Sequence, residues 1–206
     1  MPLLRNATLA VQPGDAVVLT GASGAGKTTL LRALYGDIAI SGGRLVVGGT
    51  ELTGRRTTRL PALRRRMGLI FQDDKLLNDR SVYDNIRFAL SIRMKPSAAI
   101  ARRALEILAE LGLSHLRSQM PAQLSAGEAQ RIGIARALAN EPDIILADEP
   151  TGDLDAATAR EIFSYLASRY LPQRTFIIAT HDPHRAFDAF PRARHWHLEQ
   201  GLLREH

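Results

Sequence analysis

An α/β core built on a mostly parallel sheet, with an all-helical lobe inserted into it, is the fold that this chain predicts. Three observations carry it. Candidate strands at 16–20, 44–47, 68–71, 144–147, 175–180 and 195–198 alternate with helical stretches, and three are apolar runs of the kind buried on both faces of a parallel sheet. Between Asp73 and about Ala139 no convincing strand occurs, only helical patterns. A length of 206 residues, 45% of them hydrophobic, suffices for one core with a small appended lobe. The chain therefore reads as a single domain in which 1–72 and 140–206 form the α/β core and 73–139 the helical part.

Taken in order, the apolar strand Ala16-Val-Val-Leu-Thr20 runs into a glycine-rich turn that opens a helix. Residues 57–67 read as a short surface helix before the strand at 68–71. Farther on, Ile100, Ala104, Ile107, Leu108 and Leu111 recur at helical spacing between a Ser97 cap and Gly112. Another helix runs from Ser125 to Ala139. No internal repeat and no low-complexity segment is present.

Composition narrows the function classes. Cysteine is absent, which removes disulfides, thiolate catalysis and zinc-thiolate sites and fits a reducing cytoplasm. No stretch approaches the roughly 18 uninterrupted apolar residues of a membrane span, and Met1-Pro-Leu-Leu-Arg5 lacks the regions of a signal peptide. A soluble chain is expected, to which a partner would supply any membrane. The formal net charge of +6 points to an anionic partner, and the acid-free stretch 52–72 holds Arg55, Arg56, Arg59, Arg64, Arg65 and Arg66. A solvated helix face and proximity to lipid headgroups both explain that stretch; no aromatic residues interleave with the arginines as a single-strand nucleic-acid platform requires, and no nucleic acid is expected.

The turn is Gly21-Ala22-Ser23-Gly24-Ala25-Gly26-Lys27-Thr28, in the order G-x-x-x-x-G-K-T and in strand-to-helix context. That combination binds a nucleoside triphosphate. Small residues let consecutive backbone N–H groups surround the β-phosphate, and the N-terminus of the following helix adds partial positive charge. Lys27 would reach the β- and γ-phosphates and the Thr28 hydroxyl would ligate Mg²⁺.

Downstream, Ile144-Ile-Leu-Ala-Asp148-Glu149 is an apolar strand ending in two carboxylates. Asp148 can hold Mg²⁺, usually through water, and Glu149 stands where a general base could polarise the attacking water. An acidic pair followed by Pro150 is also an ordinary turn signal. Gln72 ends another apolar strand and offers an amide oxygen to Mg²⁺ or water; His181 follows the strand at 175–180 and could donate to the γ-phosphate. Ser125-Ala126-Gly127-Glu128 forms a capping box, which leaves Gly127 unexplained unless a phosphate must approach that backbone closely.

Together these motifs resemble those of ATP-binding cassette ATPases. Residues 21–28 look like the Walker A motif, Gln72 the Q-loop, and Leu124-Ser-Ala-Gly-Glu-Ala-Gln-Arg131 the signature; 144–149 resembles Walker B, Thr151-Gly-Asp-Leu-Asp155 the D-loop, and His181 the switch histidine. Order and spacing match across nearly the whole chain. The resemblance implies a phosphate-loop NTPase fold that binds ATP through residues 21–28 and Thr29, with Mg²⁺ on Thr28, Gln72 and Asp148. It implies hydrolysis by Glu149, His181 and Gln72 in a head-to-tail homodimer, where Ser125, Ala126, Gly127 and Glu128 address the partner subunit's ATP and Asp155 lies in the D-loop.

Within the family, Phe71-Gln-Asp-Asp-Lys-Leu-Leu-Asn-Asp-Arg-Ser-Val-Tyr-Asp-Asn-Ile86 is similar to the cell-division branch; lipoprotein-releasing and macrolide-exporter ATPases are close relatives that usually differ there. That branch implies an FtsX-like integral membrane protein as partner, a place in the septal division machinery, and a peripheral position on the cytoplasmic face of the bacterial inner membrane. Leu76, Leu77, Val82 and Tyr83 are expected to dock a cytoplasmic helix of the partner, against the alternative that all four fill the core of the helical lobe, a reading that suits Val82 equally well. Repair and translation members of the family do not fit the chain length, and a nucleotide-binding module with little hydrolysis is the competing reading. Two departures stand out. Ala126 replaces a usual glycine, which would cost about 1 kcal/mol if the position needs a positive φ. Only twenty residues precede Gly21, none aromatic, so the N-terminal β part is expected to be shortened and to lack an adenine-stacking ring.

Overall fold

The computed structural model describes residues 4–5, 7–53, 58–71, 76–93, 96–152, 154–171 and 173–206. Among these residues eight strands are formed: β1 (Ala16–Thr20), β2 (Val46–Val47), β3 (Thr50–Glu51), β4 (Met67–Ile70), β5 (Ile144–Asp148), β6 (Thr175–Ala179), β7 (Arg194–Glu199) and β8 (Leu202–Glu205). The helices are α1 (Lys27–Leu34), α2 (Leu60–Arg64), α3 (Val82–Ser91), α4 (Ser97–Glu110), α5 (Ala126–Leu138), α6 (Ala156–Tyr170) and α7 (Pro183–Ala189). Six strands make one sheet in the order β4-β5-β6-β1-β7-β8, parallel except for β8. The predicted fold class stands: between β4 and β5 the described residues form only helices, 3₁₀ turns and connections.

Alternation along the central strands divides the core into two layers. Val17 and Leu19 of β1, Leu146 of β5 and Ile177 of β6 face α1, Trp196 and Leu198. Val18, Ile145, Ala147, Phe176 and Ile178 face the opposite way, onto the buried sides of α3, α5, α6 and α7. Every residue of β1 is buried, so no exposed position reveals its alternation.

Three boundaries differ from the sequence expectation. The strand expected at 44–47 shrinks to Val46–Val47 and pairs with β3 in a separate two-stranded sheet, because Gly43, Gly48 and Gly49 all take positive φ around it. The surface helix shortens to α2, with Pro61 in its first turn. Pro96 rather than Ser97 occupies the cap position of α4, with no side-chain cap bond, and Ser97 is the first helical residue. At the other end Gly112 takes φ 69° and the Leu113 N–H donates to the Leu108 carbonyl at 2.7 Å, closing a Schellman motif. β8 was missed: Gln200 and Gly201, φ 49° and 80°, make the tight turn that folds it back on β7.

Candidate active site

The phosphate-loop residues leave β1 through Gly21, whose φ of 149° is unsuited to a side chain and where a Cβ would lie 2.4 Å from the Leu198 carbonyl oxygen of β7. Only glycine fits. Gly24 and Gly26 also take positive φ, 77° and 108°, and Gly26 caps α1. No side chain caps α1 and its first turn holds no acid, so the N–H groups of that turn are left for an anion. Between these glycines Ala22, Ser23 and Ala25 form the tip, closed by the Ala25 N–H donating to Ala22 O at 3.1 Å, with Thr28 and Thr29 in the first helical turn. Lys27 is buried, and its ammonium donates to the carbonyls of Gly21 at 2.9 Å and Ala22 at 3.4 Å. The ammonium is thereby held over the loop.

Asp148 ends β5 opposite Ala179 of β6 and is buried. Thr28 and Asp148 share the wall of a cavity of about 420 Å³ that continues along α1 to Tyr35 and across to Phe71. A hydroxyl and a carboxylate are hard oxygen donors. Among the described residues no trio of histidine, cysteine or carboxylate side chains could hold a metal ion. A divalent ion held by these two oxygens would complete its shell largely with phosphate and water, which is how Mg²⁺ binds; the residues fit that ion.

Glu149 follows with a φ of 48°, rare for a residue with a side chain. Its N–H donates to Ala179 O at 2.9 Å, and its carbonyl accepts from the Gly152 N–H at 3.1 Å. The turn aims the carboxylate at His181, which donates from its backbone N–H at 3.2 Å and meets the same oxygen through Nδ1 at 2.8 Å. Glu149 and His181, remote in sequence, are brought together. Gln72 lies outside the described residues.

Ser125 caps α5 as the capping box predicts: Ser125 Oγ accepts from the Glu128 N–H at 3.3 Å, and the Glu128 carboxylate accepts from the Ser125 N–H at 2.9 Å and hydroxyl at 2.7 Å. Those two bonds from Ser125, the backbone one first, hold the Glu128 carboxyl below its usual range. Ala126 corrects the expectation attached to it. It is the first residue of α5 and has no positive φ, so alanine is unstrained and a better helix former than glycine. Asp155 caps α6, accepting from the N–H groups of Ala157 at 2.9 Å and Thr158 at 3.1 Å and from the Thr158 hydroxyl at 2.6 Å.

The core-filling alternative holds for part of the docking set. Val82 is completely buried, Leu76 and Tyr83 are partly buried and pack against the core, and Leu77 is half-buried. Large exposed apolar side chains here are Phe88 on α3 and Ile92 just after it, 43% and 55% exposed. Phe88 lies on a groove with Arg80, Asp84 and Arg87. Of the arginine stretch, Arg64 donates to the carbonyls of Tyr35 and Gly36, and Arg66 pairs with Asp143 at 2.7 Å; both serve the fold.

Two features escaped sequence reasoning. Gln130 of α5 is buried, its amide donating to Pro150 O at 2.9 Å; its place on the stripe with Ile134 and Leu138 was the available signal. Thr20 Oγ1 lies 2.8 Å from His195 Nε2 and 2.9 Å from His197 Nδ1.

Residues 4–152 match the family model described as ABC transporter. The chain belongs to the ABC transporter ATPase family. It is 42% identical over 179 residues to the cell division ATP-binding protein FtsE of Streptococcus pneumoniae serotype 2, covering 87% of this chain and 78% of that one. It is 45% identical over 163 residues to the methionine import ATP-binding protein MetN of Cupriavidus necator, covering 79% of this chain and 47% of the other. A dimeric post-hydrolysis structure of the ATP-binding cassette MJ0796 bound to ADP and Pi superposes with a TM-score of 0.90 at 31% identity, covering 99% of this chain and 90% of that one. This ABC ATPase binds and hydrolyses ATP. Among its described residues no helix is long and apolar enough to cross a membrane.

Proposed function

We propose that this ATPase is the ATP-hydrolysing subunit of an FtsE/FtsX-type cell-division complex, working as a homodimer with two ATP molecules between its subunits. Its similarity to FtsE supports the biological assignment. The chemistry rests on one observation: Glu149, directly after Asp148, is turned by a left-handed backbone and bonded to His181.

In this reading residues 21–29 and the first turn of α1 bind the triphosphate, with Lys27 neutralising its charge. Thr28 and Asp148, with Gln72, would hold Mg²⁺, which when bound neutralises charge on the β- and γ-phosphate oxygens. Glu149 accepts a proton from the attacking water, and His181 orients that carboxylate. Ser125, Ala126, Gly127 and Glu128 address the partner subunit's nucleotide, so hydrolysis requires a closed dimer.

Closure would then be passed to an FtsX-like integral membrane protein on the cytoplasmic face of the inner membrane, within the septal division machinery. The groove lined by Phe88, with Ile92 exposed just past the end of α3, supports a dock on the helical lobe. Substitution Glu149→Gln tests the reading: ATP binding is retained, turnover falls by at least about a hundredfold, and light scattering finds an ATP-dependent dimer. Normal turnover would move the base elsewhere. Co-purification of the Phe88→Asp, Ile92→Asp double variant with an FtsX-like protein is expected to fail while ATP binding persists; pairing with a substrate-import permease instead would favour a transport role like that named for MetN.

A further inference from the structure

We propose that Gln130 is a positioning residue that holds Glu149 in its working orientation and ties it to the first turn of α5; this rests on the reading of Glu149 as the base. Gln130 is only 3% exposed, on the buried stripe it shares with Ile134 and Leu138. A lone amide there must be hydrogen-bonded to be tolerated. Its Nε2 donates to Pro150 O at 2.9 Å and, more weakly, to Phe71 O at 3.5 Å.

Pro150 is the residue after Glu149. A φ of 48° persists at a glutamate only where the surroundings fix it. Backbone bonds hold the near side, from Glu149 N–H to Ala179 O and from Gly152 N–H to Glu149 O. Gln130 holds the far side from another element. Gly127 supplies a second contact: a Cβ on it would come within 3.1 Å of Leu154 Cδ2, so the helix lies close against the segment that leaves Glu149. Positions 127 and 130 share one face of α5. A displacement of the first turn therefore carries Pro150 with it, and through Pro150 the turn at Glu149. The signature end of α5, which addresses one ATP, is in this way read at the base that activates the water attacking the other.

The test uses the full chain with Gln130→Met, which keeps the shape and loses the donor, and Gln130→Glu, which donates only when protonated. Gln130→Met should lower kcat about tenfold, the worth of one hydrogen bond, while KM for ATP moves less than about threefold. Gln130→Glu should be slow near about pH 8, where a carboxylate faces two carbonyls, and should gain on the parent as pH falls to about 6, because burial raises its carboxyl pKa and the protonated form donates again. A merely structural role moves stability and leaves that ratio flat. Gln130→Met turning over within about twofold of the parent, or a Gln130→Glu rate in constant ratio to the parent, overturns the proposal; if Gln130→Met does not fold, the ratio decides alone. Glu149→Gln is run alongside: inert Glu149→Gln with parent-like Gln130→Met rejects only the positioning role, whereas active Glu149→Gln rejects the base and this proposal with it.

Discussion

Glu149 Oε2 receives two hydrogen bonds from one residue, His181, through its backbone N–H at 3.2 Å and its Nδ1 at 2.8 Å. A carboxylate can only accept, so the Nδ1 proton is on the ring and points at Glu149. In that tautomer the neutral ring leaves Nε2 an acceptor, so donation from Nε2 to a γ-phosphate requires the imidazolium. Glu149 is largely covered, its side chain 12% exposed, while that of His181 is 67% exposed. The histidine can therefore meet substrate without uncovering the base.

His181→Ala keeps the backbone bond and deletes the ring. Turnover is expected to fall about ten- to a hundredfold, with nucleotide affinity changed by less than about threefold in titration calorimetry. An equal loss in both quantities would make His181 a binding residue instead.

Lys27→Ala separates binding from chemistry. An ammonium pairs with phosphate and, while charged, cannot take a proton. In the folded chain it also satisfies Gly21 O and Ala22 O. The variant is expected to bind ATP at least about tenfold more weakly. Unchanged affinity with lost turnover would assign Lys27 to the chemical step.

Much of this site was legible because its parts are local. The loop from Gly21 to Thr28, the capping box of Ser125 and Glu128, and the strand that delivers Asp148 each declare themselves within a few residues. Contacts across the sequence do not. Nothing near Glu149 reveals that Gln130 donates to the next carbonyl, or that Leu198 leaves no room at Gly21. Val82 reads as a surface candidate because the acids around it are polar, yet it begins α3 on the buried side. β8 was missed because its turn uses Gln200-Gly201 where the recognisable signal is asparagine or aspartate before glycine.

At Gly21 the prediction is one of stability. A methyl group would lie 2.4 Å from Leu198 O, a backbone atom fixed in the sheet, at a φ of 149°. Gly21→Ala is therefore expected to destabilise the fold by about 2 kcal/mol or more, and the parallel Gly24→Ala, whose Cβ meets nothing within 4 Å, by less. Equal melting temperatures for the two variants would show that β7 yields.

The edge of the sheet predicts a pH dependence. His195 and His197 of β7 stand beside His206, which follows β8, with Arg204 opposite His197, Thr20 of β1 between the first two, and Phe187 of α7 against His195. Burial first, then the neighbouring His206 and His197, push the His195 pKa below its usual value. In the unfolded chain that group titrates near about 6.5. The folded state thus binds fewer protons through this interval, and stability rises with pH wherever the unfolded state binds more. The contribution is present above the unfolded pKa and is lost as pH falls through the folded one. Carboxylates with lowered values, Asp37, Glu128, Asp155 and Glu205, titrate below this interval. Melting temperatures taken from about pH 7.5 down to 5.5 should therefore fall more steeply for the parent than for His195→Gln, which carries no proton to gain. Parallel slopes would place the acid sensitivity on other groups and leave His195 a neutral partner of Thr20.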